Sequence, residues 1–245
     1  MKKERPILFS TPMVQALLEG RKTQTRRIIK PQPSPRATEF YHSVKGGWPK
    51  TPWHARLELP SDPGYYEVTD LYKCPYGTVG DILWVRETFI QGQKMDGEEM
   101  FVYDDNGHPI DKTWYRADGD LDKWFNGDAM VEVPWKPSIH MPKSAARLWL
   151  ELTDIRVERV QDISEEDAIA EGVESRLEER LISKPVHYKV YYNGPGDDST
   201  YSSSASVSFE TLWQKINGPE SLQANPWIWA LTLKVLSTTG KTETL

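Results

Sequence analysis

The densest feature of the sequence is residues 20–27, which read Gly20-Arg21-Lys22-Thr23-Gln24-Thr25-Arg26-Arg27. A predicted helix, Pro12–Glu19, comes directly before it and stops at the glycine, a residue typical of helix C-termini. A β-prone segment, Lys22–Ile29, contains two threonines and two isoleucines. The sequence therefore predicts a helix-to-strand turn that carries a dense group of cations, to which Lys30 adds one more.

The composition of the chain is that of a globular, mainly β protein. Its 245 residues include 10 Trp, 11 Tyr and 6 Phe, enough to fill a core, and 18 Pro with 16 Gly, which indicate many turns. Cys74 is the only cysteine, so no internal disulfide can form and a reducing compartment is favoured. The chain shows neither a signal-peptide pattern nor eighteen consecutive apolar residues. We therefore expect a cytoplasmic protein with no membrane partner.

The charge distribution favours a small ligand. A net charge of −6 makes the molecule as a whole repel a phosphate backbone, and proteins that bind long nucleic acids usually have a large basic face. The cations between Arg21 and Lys30 are instead concentrated in one short segment. This pattern favours a basic pocket for a nucleoside or nucleotide, with RNA as the other possible partner.

Strands outnumber helices in the sequence pattern, which predicts an α+β fold that is mainly β. The predicted strands and helices are Ile7–Ser10, Asp81–Phe89, Met100–Tyr103 paired with Thr113–Ala117, Arg147–Val160, a Ser164-capped helix that ends at Gly172, a helix at Phe209–Ile216, and Trp227–Leu236. One domain would span residues 1–237, with insertions at about 31–80 and 175–208 and a flexible tail at 238–245. The first and last strands are expected to pair and close a barrel.

Several kinds of catalytic machinery are missing from the sequence. The five histidines are scattered, and none lies at metal-ligand spacing from another histidine or from the cysteine. The chain has no phosphate-binding glycine-rich loop, no dinucleotide-binding fingerprint and no nucleophile-elbow pattern. We therefore expect a protein that works without a metal or another cofactor.

Three segments in order resemble the ASCH family of the PUA-like superfamily. Gly20, Lys22 and Arg26 have the spacing of the family's Gly-x-Lys-(three residues)-Arg signature, Gly80–Val85 is similar to its Gly-Asp strand, and Ile163–Gly172 is similar to its later helix. The segment Trp135–Pro142 resembles the longer members found in phages and prophages. The resemblance covers most of residues 7–236. It implies a PUA-like small β-barrel with a few flanking helices and long loop insertions.

Within the family, the residues from Arg21 to Arg27 are similar to those of bacterial amidohydrolases that deacetylate N(4)-acetylcytidine. The resemblance implies Lys22 as the proton acceptor, Thr25 as the nucleophile and Glu171 as the acidic partner. Elementary chemistry is compatible with these roles. A threonine hydroxyl needs a nearby base, and burial beside arginines lowers the pKa of a lysine until it can act as one.

The strand repeat places a condition on this site. Lys22 and Thr25 are three residues apart, so in a regular strand they would point to opposite faces of the sheet. The sequence therefore predicts that Lys22 lies in the turn before the strand, whereas Thr25 and Arg27 share one strand face.

The residues around the catalytic group are open to two interpretations each. Arg21, Arg26 and Arg27 are the candidate substrate-binding cations, and the cluster Lys22–Arg27 either belongs to a pocket or forms a solvated basic strand. Trp84 either stacks on a base or packs in the core, Arg86 and Glu87 either face the pocket or pair with each other, and Glu171 is either catalytic or an exposed carboxylate at a helix end. No metal ligand is predicted.

Three functions follow from the sequence and the resemblance. The first is a metal-independent amide hydrolase acting on an acylated nucleoside such as N(4)-acetylcytidine. The second is a PUA-like module that binds RNA or a modified nucleotide without catalysis. The third is a ribonuclease. The spacing of the lysine and the threonine favours chemistry, and the net negative charge disfavours a long RNA partner.

Overall fold

A computed structural model describes residues 2–42, 53–58, 66–93, 106, 108, 110–119, 121, 123–125, 130–181, 185–192 and 201–241. The strands and helices are, in chain order, β1 (Glu4–Leu8), α1 (Thr11–Leu18), β2 (Gln24–Ile28), β3 (Ala37–His42), β4 (Trp53–Glu58), β5 (Tyr66–Tyr72), β6 (Ile82–Arg86), β7 (Phe89–Gln93), β8 (Asp111–Tyr115), β9 (Lys123–Phe125), β10 (Met130–Glu132), β11 (Trp149–Arg159), α2 (Glu165–Ala170), β12 (Ser175–Leu181), β13 (Pro185–Tyr192), β14 (Tyr201–Ser202), α3 (Ala205–Asn217) and β15 (Trp227–Ser237). Short 3-10 helices lie at Arg116–Asp118, Ser138–His140, Lys143–Ala145, Val160–Asp162 and Pro219–Ser221. The fold is α+β and mainly strand, as the sequence predicts.

The central element is a five-stranded sheet with the order β1-β6-β11-β15-β2. β1 runs parallel to β6, and the other neighbours are antiparallel. One face of the sheet and the elements packed on it bury Ile7, Leu83, Leu150, Trp229 and Leu231 in the main core cluster. This sheet fixes the position of β2, which carries the candidate site, at one edge.

The predicted pairing of the first and last strands is wrong. β1 pairs with β6, whereas β15 lies between β11 and β2, and in the described part of the chain the sheet does not close into a barrel. The burial of β15 explains this position. The residues Trp227–Leu231 are all buried, so both faces of this strand are covered, as is expected of a central strand with a neighbour on each side.

The first insertion forms a three-stranded antiparallel sheet, β3-β4-β5. Its Ala37, Ala55 and Leu57 belong to the same buried cluster as Ile7 and Trp229, so this sheet packs on the main core. The second insertion is more regular than the sequence suggests, because β12, β13 and β14 form another antiparallel sheet. The alternation Val186-His187-Tyr188-Lys189-Val190 is the signal that could have predicted β13.

The structure differs from two of the predicted strands, Asp81–Phe89 and Thr113–Ala117. The predicted strand Asp81–Phe89 is divided at Glu87 and Thr88 into β6 and the start of β7. β8 overlaps the predicted strand Thr113–Ala117, but it pairs with β7. Its predicted partner, Met100–Tyr103, lies outside the described residues.

Helices α2 and α3 are joined through their N-termini. The hydroxyl of Ser164 accepts a 3.1 Å hydrogen bond from the Asp167 amide and caps α2, as predicted. The Glu165 carboxylate accepts hydrogen bonds from the hydroxyls of Ser204 and Ser206 and from the Ala205 amide at the start of α3. These donors, with the Ser204 hydroxyl contributing most, lower the pKa of Glu165 to about 2. The contact anchors α3, which begins four residues before the predicted start.

The helices of the described ranges are all too short or too polar to cross a bilayer.

Candidate active site

Lys22 lies in the turn between α1 and β2 and is held there by main-chain hydrogen bonds. Its amide donates to Ala16 O at 3.0 Å, and the amide of Thr23 donates to Ala170 O at 2.8 Å. The end of α1 and the end of α2 therefore meet at this turn. β2 begins only at Gln24, which confirms the prediction that Lys22 precedes the strand.

The Lys22 side chain is buried and bonded to one residue. It is 1% exposed, and its Nζ donates to Glu171 Oε2 at 2.6 Å and to the main-chain oxygen of Glu171 at 2.8 Å. Glu171 follows the last residue of α2 and is 7% exposed, so the interpretation of it as an exposed carboxylate at a helix end is wrong. The two hydrogen bonds use both hydrogens of a neutral amine and leave its lone pair unused.

Gly172 makes this close approach possible. Its φ of +87° is one that residues with a Cβ rarely adopt, and a Cβ placed there would lie 2.9 Å from Lys22 Cβ and 3.1 Å from Ala16 Cβ. The glycine that ends α2 therefore has two functions: it stops the helix, and it leaves room for the lysine beneath it.

Arg26 holds the other oxygen of the same carboxylate. Its Nη1 donates to Glu171 Oε1 at 3.2 Å, and its Nη2 donates to Glu158 and to Asp167, each at 2.8 Å. Arg156 also donates to Asp167, at 2.5 Å. Arg26 is 5% exposed, so the interpretation of this segment as a solvated basic strand is wrong for Arg26 and Lys22. The network fixes Glu171 from two sides.

Thr25 and Arg27 share the other face of β2. Thr25 is opposite Leu231 and Arg27 is opposite Trp229 in the antiparallel register, and both β15 residues belong to the main core. The Phe9 ring lies against both side chains, 5.9 Å from Lys22 Nζ and 5.2 Å from Arg27 Cζ. The lysine amine therefore lies at the edge of the sheet between the two faces of β2: Phe9 connects it to the face that carries Arg27, and Glu171 connects it to Arg26 on the opposite face. No described residue hydrogen-bonds the Thr25 hydroxyl, which is part of a residue only 2% exposed.

These side chains border a cleft of about 750 Å³. The cleft is lined by residues of β2, α3, the segments after β2 and β5, and β15; those used below are Thr25, Arg26, Arg27, Lys30, Tyr72, Lys73, Tyr76, Glu171, Trp213 and Trp229. Its volume lies within the range of about 300–1,000 Å³ found for small-molecule sites. A hydroxyl, a carboxylate, guanidinium groups and aromatic rings thus meet in one concave space.

Burial has the largest single effect on the pKa values of Lys22, Glu158 and Asp167. Burial lowers the pKa of the Lys22 amine, and the charges of Arg27 and Arg26 lower it further, against the opposite effect of Glu171. Burial also raises the pKa of Glu158. Burial alone would raise the pKa of Asp167, but the hydrogen bonds from Gln24 and Arg156 and the charge of Arg26 outweigh it and lower this pKa.

The charges around Glu171 form a connected group. Arg26 pairs with Glu158, Asp167 and Glu171, and Arg156 also pairs with Asp167. Arg27 pairs with none of these carboxylates, because its guanidinium lies against the Phe9 ring and donates to Leu8 O. A charge on a side chain as deeply buried as Lys22 is costly in a low-dielectric environment, which favours the neutral amine.

The other predicted substrate-binding residues lie elsewhere. Arg21 donates to Gly172 O at 2.9 Å and lines a smaller cleft of about 310 Å³ beside Glu171. Trp84 packs with Ile82 and Trp149, and the Arg86 guanidinium lies 5.7 Å from the Trp84 ring and donates to Ile139 O.

Glu87 is also remote from the cleft lining, and its partner is Arg147 and not Arg86. The two form a forked ion pair with distances of 3.0 Å for both Nε–Oε1 and Nη2–Oε2. Burial raises the pKa of Glu87 although Arg147 acts in the opposite direction.

Some residues of the site escaped the sequence interpretation. Trp213 and Trp229 have the sequence pattern of core residues, yet both also line the cleft, which follows only from the pairing of β15 with β2 and from the position of α3. Asp167 could have been found, since it is four residues before Glu171 and therefore on the same helix face. Glu158 carried no such signal.

Comparisons of the chain with protein-family models, with curated proteins and with solved structures find no match. The case for a function therefore depends on the geometry of the cleft and on the motif resemblance.

Proposed function

We propose that this protein is an ASCH-type amidohydrolase that removes the acyl group from the exocyclic amide of a nucleoside such as N(4)-acetylcytidine. One observation carries the proposal: a buried lysine amine donates two hydrogen bonds to Glu171, and that glutamate lines the same cleft as the hydroxyl-bearing Thr25. A base beside a nucleophile is the minimum that acyl transfer requires.

The first half of the reaction forms an ester. The neutral Lys22 amine takes the proton of the Thr25 hydroxyl as Oγ1 attacks the acyl carbon, and the electron pair of the carbonyl bond moves to its oxygen. The guanidinium of Arg27 faces the cleft and stabilises this negative charge. When the intermediate collapses, the bond to the exocyclic nitrogen breaks, and that nitrogen takes the proton back from Lys22. Cytidine leaves, and the acyl group remains on Thr25.

The second half returns the enzyme to its starting state. Lys22 takes a proton from water, the resulting hydroxide attacks the ester, and the Thr25 oxygen leaves and regains the proton. Glu171 does not exchange a proton in either half. It orients the amine through two hydrogen bonds, and Arg26 holds its second oxygen at 3.2 Å. Arg26 is thus a positioning residue, because it acts through the carboxylate.

We also propose that the five-stranded sheet is an open form of the PUA-like barrel. Its edges are β1 and β2, and Arg27 Nη2 donates to Leu8 O at 2.5 Å, which bridges the end of β1 to β2 through a side chain. The bridge supports a common origin with a closed barrel in which these two strands are neighbours.

The proposal is tested by incubating the wild-type protein with N(4)-acetylcytidine and measuring cytidine and acetate by liquid chromatography. We expect both products in equal amounts and at a rate proportional to the protein concentration. Absence of cytidine, together with salt-sensitive retention of RNA oligonucleotides, would support the binding module instead, and shortened oligonucleotides would support the ribonuclease.

A pair of glycine substitutions tests whether the packing around Lys22 matters for the reaction. Gly172 and Gly80 have similar φ angles, +87° and +90°, but only at Gly172 would a Cβ meet the lysine. We expect Gly80→Ala to cost about 1–2 kcal/mol of unfolding free energy, because it forces an alanine into a left-handed conformation, and Gly172→Ala to cost more, because its Cβ also meets Lys22 and Ala16.

The activities of the two variants should differ. A displacement of Lys22 by a fraction of an ångström should lower kcat of Gly172→Ala by about 10²-fold, whereas Gly80→Ala keeps the wild-type rate. Urea unfolding and steady-state assays on both variants measure the two effects. Equal activities would show that the position of the lysine is irrelevant to turnover.

A further inference from the structure

The floor and the mouth of the cleft carry different ionisable side chains, and the hydrolysis mechanism does not use those at the mouth. Its inner part contains the buried Thr25 and Glu171, whereas Lys30 and Lys73 line it as exposed residues. Neither ammonium group has an acidic partner within the described ranges. The reacting groups are therefore at the floor of the cleft, and two uncompensated cations are at its mouth.

The wall of the cleft is positive although the protein is negative. Among the described residues that line it, Arg26, Arg27, Lys30 and Lys73 are cationic and Glu171 is the only carboxylate, while the whole chain has a net charge of −6. Arg26 is neutralised by its carboxylates, but Arg27 contacts a main-chain oxygen and a ring, and its buried Nε has no hydrogen-bond partner. A cleft of one sign on a protein of the other sign attracts an anionic ligand.

The distances along β2 and the aromatic residues limit the shape of that ligand. Lys30 is five residues after Thr25 and two residues beyond the end of β2, so the two backbones are at most about 16 Å apart. Tyr72 and Tyr76 are half-buried, line the same cleft and offer rings on which a base can stack. An acylated nucleotide has its groups in the matching order: an amide for the floor of the cleft, a flat base for the middle and a negative phosphate for the mouth.

We propose that the substrate is an acylated nucleoside monophosphate, whose phosphate is bound by Lys30 and Lys73 at the mouth of the cleft. This inference rests on the proposed function for the reaction at the floor of the cleft. Two free ammonium groups suit a single phosphate. A nucleic-acid strand would need a longer row of cations, and the net negative charge of the protein would repel it.

The test compares kcat/KM for N(4)-acetylcytidine and for its 5′-monophosphate. Because hydrogen bonds to charged groups are strong, we expect the wild-type protein to prefer the monophosphate by about tenfold or more. The double variant Lys30→Ala/Lys73→Ala should lose this preference and keep its activity on the nucleoside. Lys234→Ala, an exposed lysine on β15 outside the cleft, is the matched control and should behave as the wild type.

Each outcome of the comparison separates the two proposals. Equal turnover of both substrates, or a preference that survives the double substitution, would overturn the phosphate site and leave the amidohydrolase intact.

If neither substrate is hydrolysed, binding of cytidine 5′-monophosphate and cytidine is compared by calorimetry. Tighter binding of the monophosphate that depends on the two lysines keeps the phosphate site although the reaction fails, and equal binding overturns it. Binding of an RNA oligonucleotide more tightly than the monophosphate would also overturn it.

Discussion

Thr25→Val is expected to lower kcat/KM for N(4)-acetylcytidine by at least about 10³-fold, because it removes the only atom that can form the acyl-enzyme. Valine keeps the branched shape of a side chain that is 2% exposed, and no described residue loses a hydrogen bond to it. The substitution should therefore leave the fold and ligand binding unchanged. Steady-state kinetics and a thermal unfolding curve measure both.

Two further variants make the interpretation specific. Thr25→Ser keeps a hydroxyl at the same position and should retain activity within about tenfold of the wild type, which distinguishes a nucleophile from a packing residue. Thr153→Ala removes an exposed threonine hydroxyl on β11, far from the cleft lining, and should have no effect. Activity of Thr25→Val close to that of Thr25→Ser would exclude the covalent mechanism.

The largest effect on stability is expected from Arg147→Met. Arg147 is the ion-pair partner of Glu87, which is 1% exposed, and it also contacts Asp118 at 2.7 Å and lies 4.0 Å from the Tyr115 ring centroid. Its removal leaves a buried carboxylate without a counter-charge, which costs about 3–5 kcal/mol of unfolding free energy. Urea unfolding at neutral pH gives this value directly.

The pH dependence of this variant has a definite sign. Burial already raises the pKa of Glu87 above the value of 4.5 that it has in the unfolded chain, and loss of Arg147 raises it further. The folded state then binds a proton more tightly than the unfolded state. The stability of Arg147→Met should therefore fall as the pH rises from 4.5 through the folded-state pKa, and the difference from the wild type should be smaller at pH 5 than at pH 8.

Two controls separate the buried charge from the loss of a contact. Glu87→Gln/Arg147→Met removes the charge together with its partner and should recover part of the stability. Lys2→Ala breaks an ion pair with Glu151 in which the lysine side chain is 60% exposed, so it should cost no more than about 1 kcal/mol. A loss for Arg147→Met as small as that for Lys2→Ala would contradict the structural role of the buried pair.

Rules that use only neighbouring residues predicted the helices and strands that have a clear cap or a dense apolar pattern. The Ser164 cap with Asp167 three residues later predicted α2, and the dense apolar pattern of residues 227–236 predicted β15. The parity of Lys22 and Thr25 predicted that the lysine precedes β2, because period 2 leaves no other way to bring the two residues to one side. These inferences depend on neighbouring residues alone.

Pairing and long-range contacts could not be predicted in the same way. The position of β15 between β11 and β2 depends on which strand edges meet, and the pattern of apolar residues does not indicate which edges pair. The ion pair of Glu87 with Arg147 joins residues sixty positions apart. The same is true of Glu158, which reaches Arg26 from β11 and completes the group of charges around Glu171.

The central claim is that Lys22 is uncharged at neutral pH, and the most direct measurement is a titration of its amine by NMR in protein labelled with ¹³C and ¹⁵N at lysine. The Lys22→Met variant assigns the signal. Burial lowers the pKa of Lys22 from the ordinary 10.5, and a lysine that acts as the base must be a neutral amine at the pH of the assay, which is the expected result. An amine that stays charged up to about pH 10, as an ordinary lysine does, would contradict it.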